Sequence, residues 1–226
     1  MKRRKLAFGT LVVVLVLLIS TPAWAALQQA AYWPMKETSG PMLDASGNGN
    51  NGVVSNMKDR TGTTYVFDGS KSHVIVPDDS SLDPGSNDIT LTARVKVNGT
   101  SLDDDSYDVV RKGLVTTSGG DYKLEIIRES GDHTVGKLHC LFKGTKGAVD
   151  RVASPDVVDG SWHTLRCTKT SGQVVASVGS KSYATSGSAG SISNSSNVMV
   201  GGKKVDPRPD DMFDGTMDFV GIDIGQ

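Results

Sequence analysis

Glutamate is nearly missing from this chain: Glu37, Glu125 and Glu129 are the only three in 226 residues. Enzymes that set two facing carboxylates about one sugar, roughly 5–10 Å apart, therefore have few acids of that type to draw on. The four histidines are scattered and none forms a His-x₃-His pair, which removes the zinc-protease helix. A nucleophile elbow and a phosphate loop are absent as well. Aromatic residues make up only 6% of the chain, leaving little for a stacking platform on an outer face. Net charge is −1 and no basic stripe exists, so nucleic acid is a poor partner. No long amphipathic helical pattern occurs, and beyond the first twenty-odd residues no apolar run is long enough to cross a bilayer.

What is present begins with a leader. Lys2, Arg3, Arg4 and Lys5 precede an apolar run densest over residues 11–19, then Pro22 and the small-residue pattern Ala23-Trp24-Ala25. This is a secretory signal peptide over residues 1–25, cleaved between Ala25 and Ala26, and its apolar core is about half the length of a membrane anchor. The expected product is one domain over residues 26–226, secreted and not inserted in a membrane. It keeps 20 of the 24 basic residues and all 25 acidic ones, for a net charge of −5, which does not suit an anionic membrane surface. Export delivers Cys140 and Cys167 to an oxidising compartment, where an isolated pair is most simply one disulfide. Closing a loop of about 27 residues would stabilise the fold by roughly 3.5 kcal/mol. Two free buried thiols are the alternative. A metal site at the pair lacks partners, since His139 beside Cys140 would point to the opposite face of a strand.

Period-two alternation runs through the rest. Ile89, Leu91, Ala93, Val95 and Val97 share one face, with Thr90, Thr92, Arg94 and Lys96 on the other. Tyr122, Leu124 and Ile126 make another apolar face; so do Leu138, Cys140 and Phe142, then Leu165 with Cys167, then Val174, Ala176 and Val178. Both cysteines thus sit on inward faces. Gly-, Asn- and Ser-rich turns separate the runs, as at Ser46-Gly-Asn-Gly-Asn-Asn-Gly52, Asp83-Pro-Gly-Ser-Asn87 and Thr117-Ser-Gly-Gly120. The Ser/Gly-rich stretch 180–196 reads as a hairpin and surface loop, a domain linker being the alternative. Strand-sized runs with turns every ten residues or so predict an all-β fold, an antiparallel sandwich or barrel.

Individual residues admit bland and sharp readings. Trp33 and Trp162 read as core. The pairs Asp68-Gly69, Asp159-Gly160 and Asp214-Gly215 read as hairpin turns. His163 reads as a packed strand residue. Glu125 and Glu129 share a face with Lys123, opposite Tyr122 and Leu124, and read as solvated outer surface. Asp218 falls on the face of Val220, Ile222 and Ile224, where a carboxylate is costly unless paired with a lysine such as Lys203 or Lys204, or bound to a metal. The acidic loops at Asp103-Asp104-Asp105 and at residues 206–211 read as solvated charge.

Seven short motifs occur in a telling order: Tyr32-Trp-Pro-Met35; Glu37-Thr-Ser-Gly40 with Leu43-Asp-Ala-Ser-Gly-Asn-Gly-Asn-Asn-Gly52; Tyr65-Val-Phe-Asp-Gly69; His73-Val-Ile-Val-Pro77; Asp159-Gly-Ser-Trp-His163; Gly201-Gly-Lys203; and Phe213-Asp-Gly-Thr-Met-Asp-Phe-Val-Gly-Ile-Asp223. In this order the chain resembles a laminin G-like, concanavalin A-type jelly roll over essentially all of residues 26–226. The cysteine spacing is similar to a version found in secreted actinobacterial proteins. The resemblance implies two antiparallel sheets packed face to face, with the termini paired. It implies a structural calcium held by Asp218, with Gly69 and Asp44 contributing. It also implies a non-catalytic, secreted binding or adhesion module whose partner is a glycan or an extracellular protein at a cell surface. The alternative is a glycoside hydrolase-like sandwich acting on polysaccharide; relatives of that kind carry a strand resembling Glu-x-Asp-x-x-Glu, which this chain lacks. Asp206 stands where some relatives have a cysteine of a second disulfide.

Overall fold

The computed structural model describes residues 27–97, 106–129, 132–203 and 210–225. The leader, the Asp103–105 loop and residues 204–209 lie outside them. Among the described residues the alternating runs become fifteen strands. They are β1 (Leu27–Trp33), β2 (Val53–Ser55), β3 (Asp59–Arg60), β4 (Tyr65–Asp68), β5 (His73–Val76), β6 (Ile89–Lys96), β7 (Ser106–Lys112) and β8 (Asp121–Glu129), then β9 (Asp132–Gly144), β10 (Gly147–Asp156), β11 (Trp162–Lys169), β12 (Gln173–Val178), β13 (Lys181–Ser186), β14 (Val198–Val200) and β15 (Asp214–Gly225). One short 3₁₀ turn, Ser80–Leu82, interrupts them. No described helix is long and apolar enough to cross a membrane.

The strands form two antiparallel sheets, as expected of a jelly roll. The first runs β13-β12-β11-β6-β15-β4-β3, with β1 also paired to β15; the second runs β10-β9-β8-β7-β14-β5-β2. Their inner faces are the apolar sets read from the sequence, and all of those residues are buried. Trp33 closes one end of this core, its indole N–H donating to the Asn50 carbonyl at 2.7 Å. Cys140 of β9 and Cys167 of β11 are bonded, with Cα atoms 5.3 Å apart, so the disulfide joins one sheet to the other through the core. The first and last described strands meet in one ladder, Leu27 opposite Gly225.

Three expectations are corrected. Asp214-Gly215 is no turn but the start of β15, paired with Asp68 and Phe67. Glycine is required there because a Cβ on Gly215 would lie 2.5 Å from the Lys96 carbonyl oxygen. Asp218 does not share the face of Val220 and Ile222. The β15–β6 register slips between Met217 and Phe219, and this bulge takes Asp218 out of the alternation. Trp162 is only half-buried and stands on the outer face of the first sheet, its ring 4.7 Å from the guanidinium of Arg94. The 180–196 stretch is the hairpin and loop expected: β12 pairs β13, and Ile192, fully buried, bridges Gly85.

Candidate functional site

On the second sheet β7, β8, β9 and β10 lie side by side, so their outward residues form a continuous surface. Those residues are charged, yet several are buried. Asp108 is 0% exposed, Asp121 1%, Glu125 2% and Arg111 3%. Glu125 is therefore not the solvated surface acid that its alternation with Lys123 suggested; Glu129, further along β8, is exposed and meets Lys137 at 2.5 Å. Two segments border this surface. The Leu114–Gly120 turn joins β7 to β8, and Lys143 of β9 donates to its Val115 carbonyl. Residues 210–213 lie against β7, where the Asp108 N–H donates to the Asp211 carbonyl at 2.9 Å.

A chain of charges spans this surface. Arg111 meets Asp108 at 2.5 Å and donates from Nε to the Gly113 carbonyl at 2.9 Å. Lys123 and His139 Nδ1 both approach Glu125 Oε1 at 2.5 Å, and His139 Nε2 lies 3.2 Å from Asp150. Burial alone would raise Glu125, but the His139 hydrogen bond and the Lys123 charge outweigh it and hold its carboxyl low. Burial lowers His139, yet Glu125 and Asp150 reverse that and leave its pKa raised. Asp108 goes the other way: burial raises it more than Arg111 lowers it.

Asp121 is the exception in the chain. Neither carboxylate oxygen has a hydrogen-bond partner among the described residues, and Arg111 Nη2 comes only to 4.0 Å. Burial raises its pKa. The carboxylate helps to line a cavity of about 300 Å³, with Arg111, Lys123, Leu141 and Lys203 on other sides and Leu114 and Val115 at the rim. Leu114 and Val115 are 36% and 57% exposed, two of the few large apolar side chains left in solvent. Gly120 sets the approach: a Cβ there would lie 2.0 Å from the Lys143 carbonyl oxygen. The volume is at the lower end of small-molecule sites, which pair an apolar lining with a few placed polar groups. Chemically, the site offers a buried acceptor without a hydrogen bond, an apolar edge and three cations, each already beside an acid: Arg111 with Asp108, Lys123 with Glu125, and Lys203 with Asp210 and Asp211.

A double-carboxylate mechanism has no clear seat here. Asp121 and Glu125 are four residues apart on β8, about 13–14 Å at the usual strand rise, and the position between them is Lys123. Asp108 and Glu125 are cross-strand neighbours, but neither lines the cavity.

The residues expected to hold calcium are engaged elsewhere. Asp218 Oδ2 sits 2.5 Å from Arg94 Nη1. Asp44 Oδ1 accepts the N–H groups of Tyr32 and Ser46 at 2.9 Å, and Oδ2 accepts the Ser46 hydroxyl at 2.8 Å and the Asn50 N–H at 2.9 Å. Gly69 is in the β4–β5 turn at φ 68°, its N–H donating to the Phe213 carbonyl. Among the described residues no group of three His, Cys, Asp or Glu side chains could share an ion. In this structure the Asp218 and Asp44 carboxylates are thus taken up by protein partners.

The sequence pointed to none of the cavity residues as ligand-binding. The available signal was the alternation Asp121-x-Lys123-x-Glu125 beside Arg111; what it lacked was the cover over one of two outward faces.

A family model described as the concanavalin A-like lectin/glucanases superfamily, of laminin G type, matches residues 68–222. No curated protein matches the chain. Among solved structures, the binding domain of Paraclostridial Mosquitocidal Protein 1 is 14% identical with a TM-score of 0.61, over 88% of this chain and 49% of that one. Domain 4 of AbnA, a GH43 extracellular arabinanase from Geobacillus stearothermophilus in complex with arabinotriose, is 16% identical with a TM-score of 0.59, over 88% and 93%. Mouse laminin alpha1 domains LG4-5 are 17% identical with a TM-score of 0.51, over 73% and 42%. The chain spans about half the length of the first of these structures.

Proposed function

Because the chain belongs to the laminin G-like branch of the concanavalin A-like lectin/glucanases superfamily, we propose that it is a secreted, non-catalytic binding module that holds a glycan in the cavity over Asp121. One observation carries the reading. A carboxylate 1% exposed, with neither oxygen hydrogen-bonded and the Arg111 guanidinium only at 4.0 Å, is costly to keep, and a ligand that donates to it relieves the cost. Sugar hydroxyls are such donors, and the C–H face of a sugar ring suits Leu114, Val115 and Leu141. Arabinotriose, in the complex named for the arabinanase domain, supports a saccharide in a fold of this shape. Export is read from the leader at residues 1–25 and fits a disulfide laid through the core. Absence of catalysis is read from Lys123 between the two strand acids and from Asp108 and Glu125 lying outside the cavity lining. An extracellular protein is the other partner this site admits, through the exposed Leu114 and Val115.

Asp121→Asn separates binding from folding. It keeps the shape and removes a buried charge that has no hydrogen bond, so the melting temperature is expected to hold or rise. On a glycan array followed by titration, affinity for the best saccharide is expected to fall at least tenfold. Equal affinity of the two proteins would remove the cavity from the account. Binding only on an array of extracellular proteins, again lost in Asp121→Asn, would assign the same site to a protein partner.

A further inference from the structure

Two lysines are fully buried at one rim of the sandwich, and the fold treats them differently. Lys112, 0% exposed at the end of β7, has two counter-charges: Asp83 at 2.6 Å and Asp78 at 2.8 Å, with the Asn194 carbonyl as a third acceptor. Lys169, 1% exposed at the end of β11, has none. Its Nζ donates to the Asn87 carbonyl at 2.7 Å and stands 3.5 Å from the Ser86 carbonyl, and among the described residues no carboxylate comes within ion-pair distance. Asp88 acts on it only from farther away, and burial leaves its pKa lowered. Carbonyl dipoles solvate an ammonium in part but do not neutralise it, so the buried charge has a counter-charge only at a distance.

Lys169 lines a cavity of about 330 Å³ whose other walls are Lys146 and a set of hydroxyl-bearing residues, among them Ser86, Thr145, Ser171 and Ser188, with no acid present. The walls are fixed: the 144–147 hairpin tip is tied to the 189–191 segment by the Thr145 N–H on the Ser191 carbonyl at 3.0 Å and the Lys146 N–H on the Ala189 carbonyl at 2.9 Å. Two lysines and several hydroxyl-bearing residues lining a space without a carboxylate match an anion bearing several acceptor oxygens. We propose that this pocket binds an oxyanion group, a carboxylate or sulfate, carried by an acidic saccharide. It shares no lining residue with the cavity over Asp121, so the two sites stand or fall separately.

Three proteins test this: the full chain, Lys169→Met, and Lys146→Glu, which changes an exposed residue and so keeps the fold if the first variant does not. Melting temperatures are compared in sodium sulfate and sodium chloride at equal ionic strength, and calorimetry follows trigalacturonate and its methyl ester. Sulfate raises the melting temperature of many proteins by exclusion from their surface, so the decisive quantity is the difference between wild type and variants. The expected result is an excess sulfate shift in wild type that both variants lose, with trigalacturonate binding in wild type alone and its methyl ester not at all. An excess sulfate shift without trigalacturonate binding would overturn the saccharide as the source and leave a free inorganic anion. The same shift in all three proteins, with no trigalacturonate binding, would overturn the site itself.

Discussion

Asp44 fixes the 42–52 loop against β1 with a single side chain. Burial would raise its pKa, but the N–H groups of Tyr32, Ser46 and Asn50, with the Ser46 hydroxyl, lower it instead. Asp44→Ala leaves three backbone donors without their acceptor and is expected to cost about 2 kcal/mol. Urea unfolding checks this; a change below about 0.5 kcal/mol would mean that water replaces the carboxylate. The resemblance implied Asp44 as a contributor to a calcium site; in this structure its carboxylate clasps the loop. Residue identity alone also misplaced Trp162: large aromatics dominate cores, yet this one shields Arg94 on an outer face. Trp33, in the first motif, lies in the core as expected.

Along single strands, alternation gave the faces of β6, β8, β9, β11 and β12 correctly, because every second residue of a regular strand points the same way. It fails where a strand departs from regularity, and β15 does so at Met217 to Phe219. Parity counted through that bulge puts Asp218 in the core, while pairing puts it beside Arg94. Alternation is also silent on cover, so Glu125 read as solvated and the cavity over Asp121 was invisible. The close pairing of β15 with β6 offers a check. In Gly215→Ala the new methyl would meet the Lys96 carbonyl at 2.5 Å and the Phe213 ring at 3.1 Å. Relieving both contacts means moving backbone, for about 2–3 kcal/mol. At roughly 2–4 °C per kcal/mol for a domain of this size, the melting temperature should fall by about 4–12 °C. An unchanged value would show that β15 can shift away from β6 without loss.

Across the whole molecule the buried charges set a pH preference. His139 holds its proton more tightly folded than unfolded, so its contribution is complete below about pH 6.5, the unfolded value, and is lost as pH rises through the higher folded value. Asp108, raised by burial, acts in the same direction: its contribution is complete below about pH 3.9 and is lost as pH climbs through its raised value. Glu125 opposes them; its contribution is present above about pH 4.3 and lost as pH falls through its depressed value. The melting temperature is expected to peak at about pH 5 and to decline toward pH 8, with the decline reduced in both His139→Gln and Asp108→Asn. A profile flat from pH 5 to 8 in the wild type would contradict this balance. The all-β class, the two sheets and the disulfide were legible at this scale because each rests on patterns repeated along the chain. The candidate site was not, because it is made where separate segments meet. The placement of the ends has its own consequence. Leu27 and Gly225 face each other in one antiparallel ladder. Tension between those two points would load the β1–β15 hydrogen bonds from one end in turn, as a zipper opens, and not all together in shear. The Cys140–Cys167 bond lies outside that path, so a tethered copy would yield at its attachment first, while its two sheets stayed clamped and the face over Asp121 kept its shape.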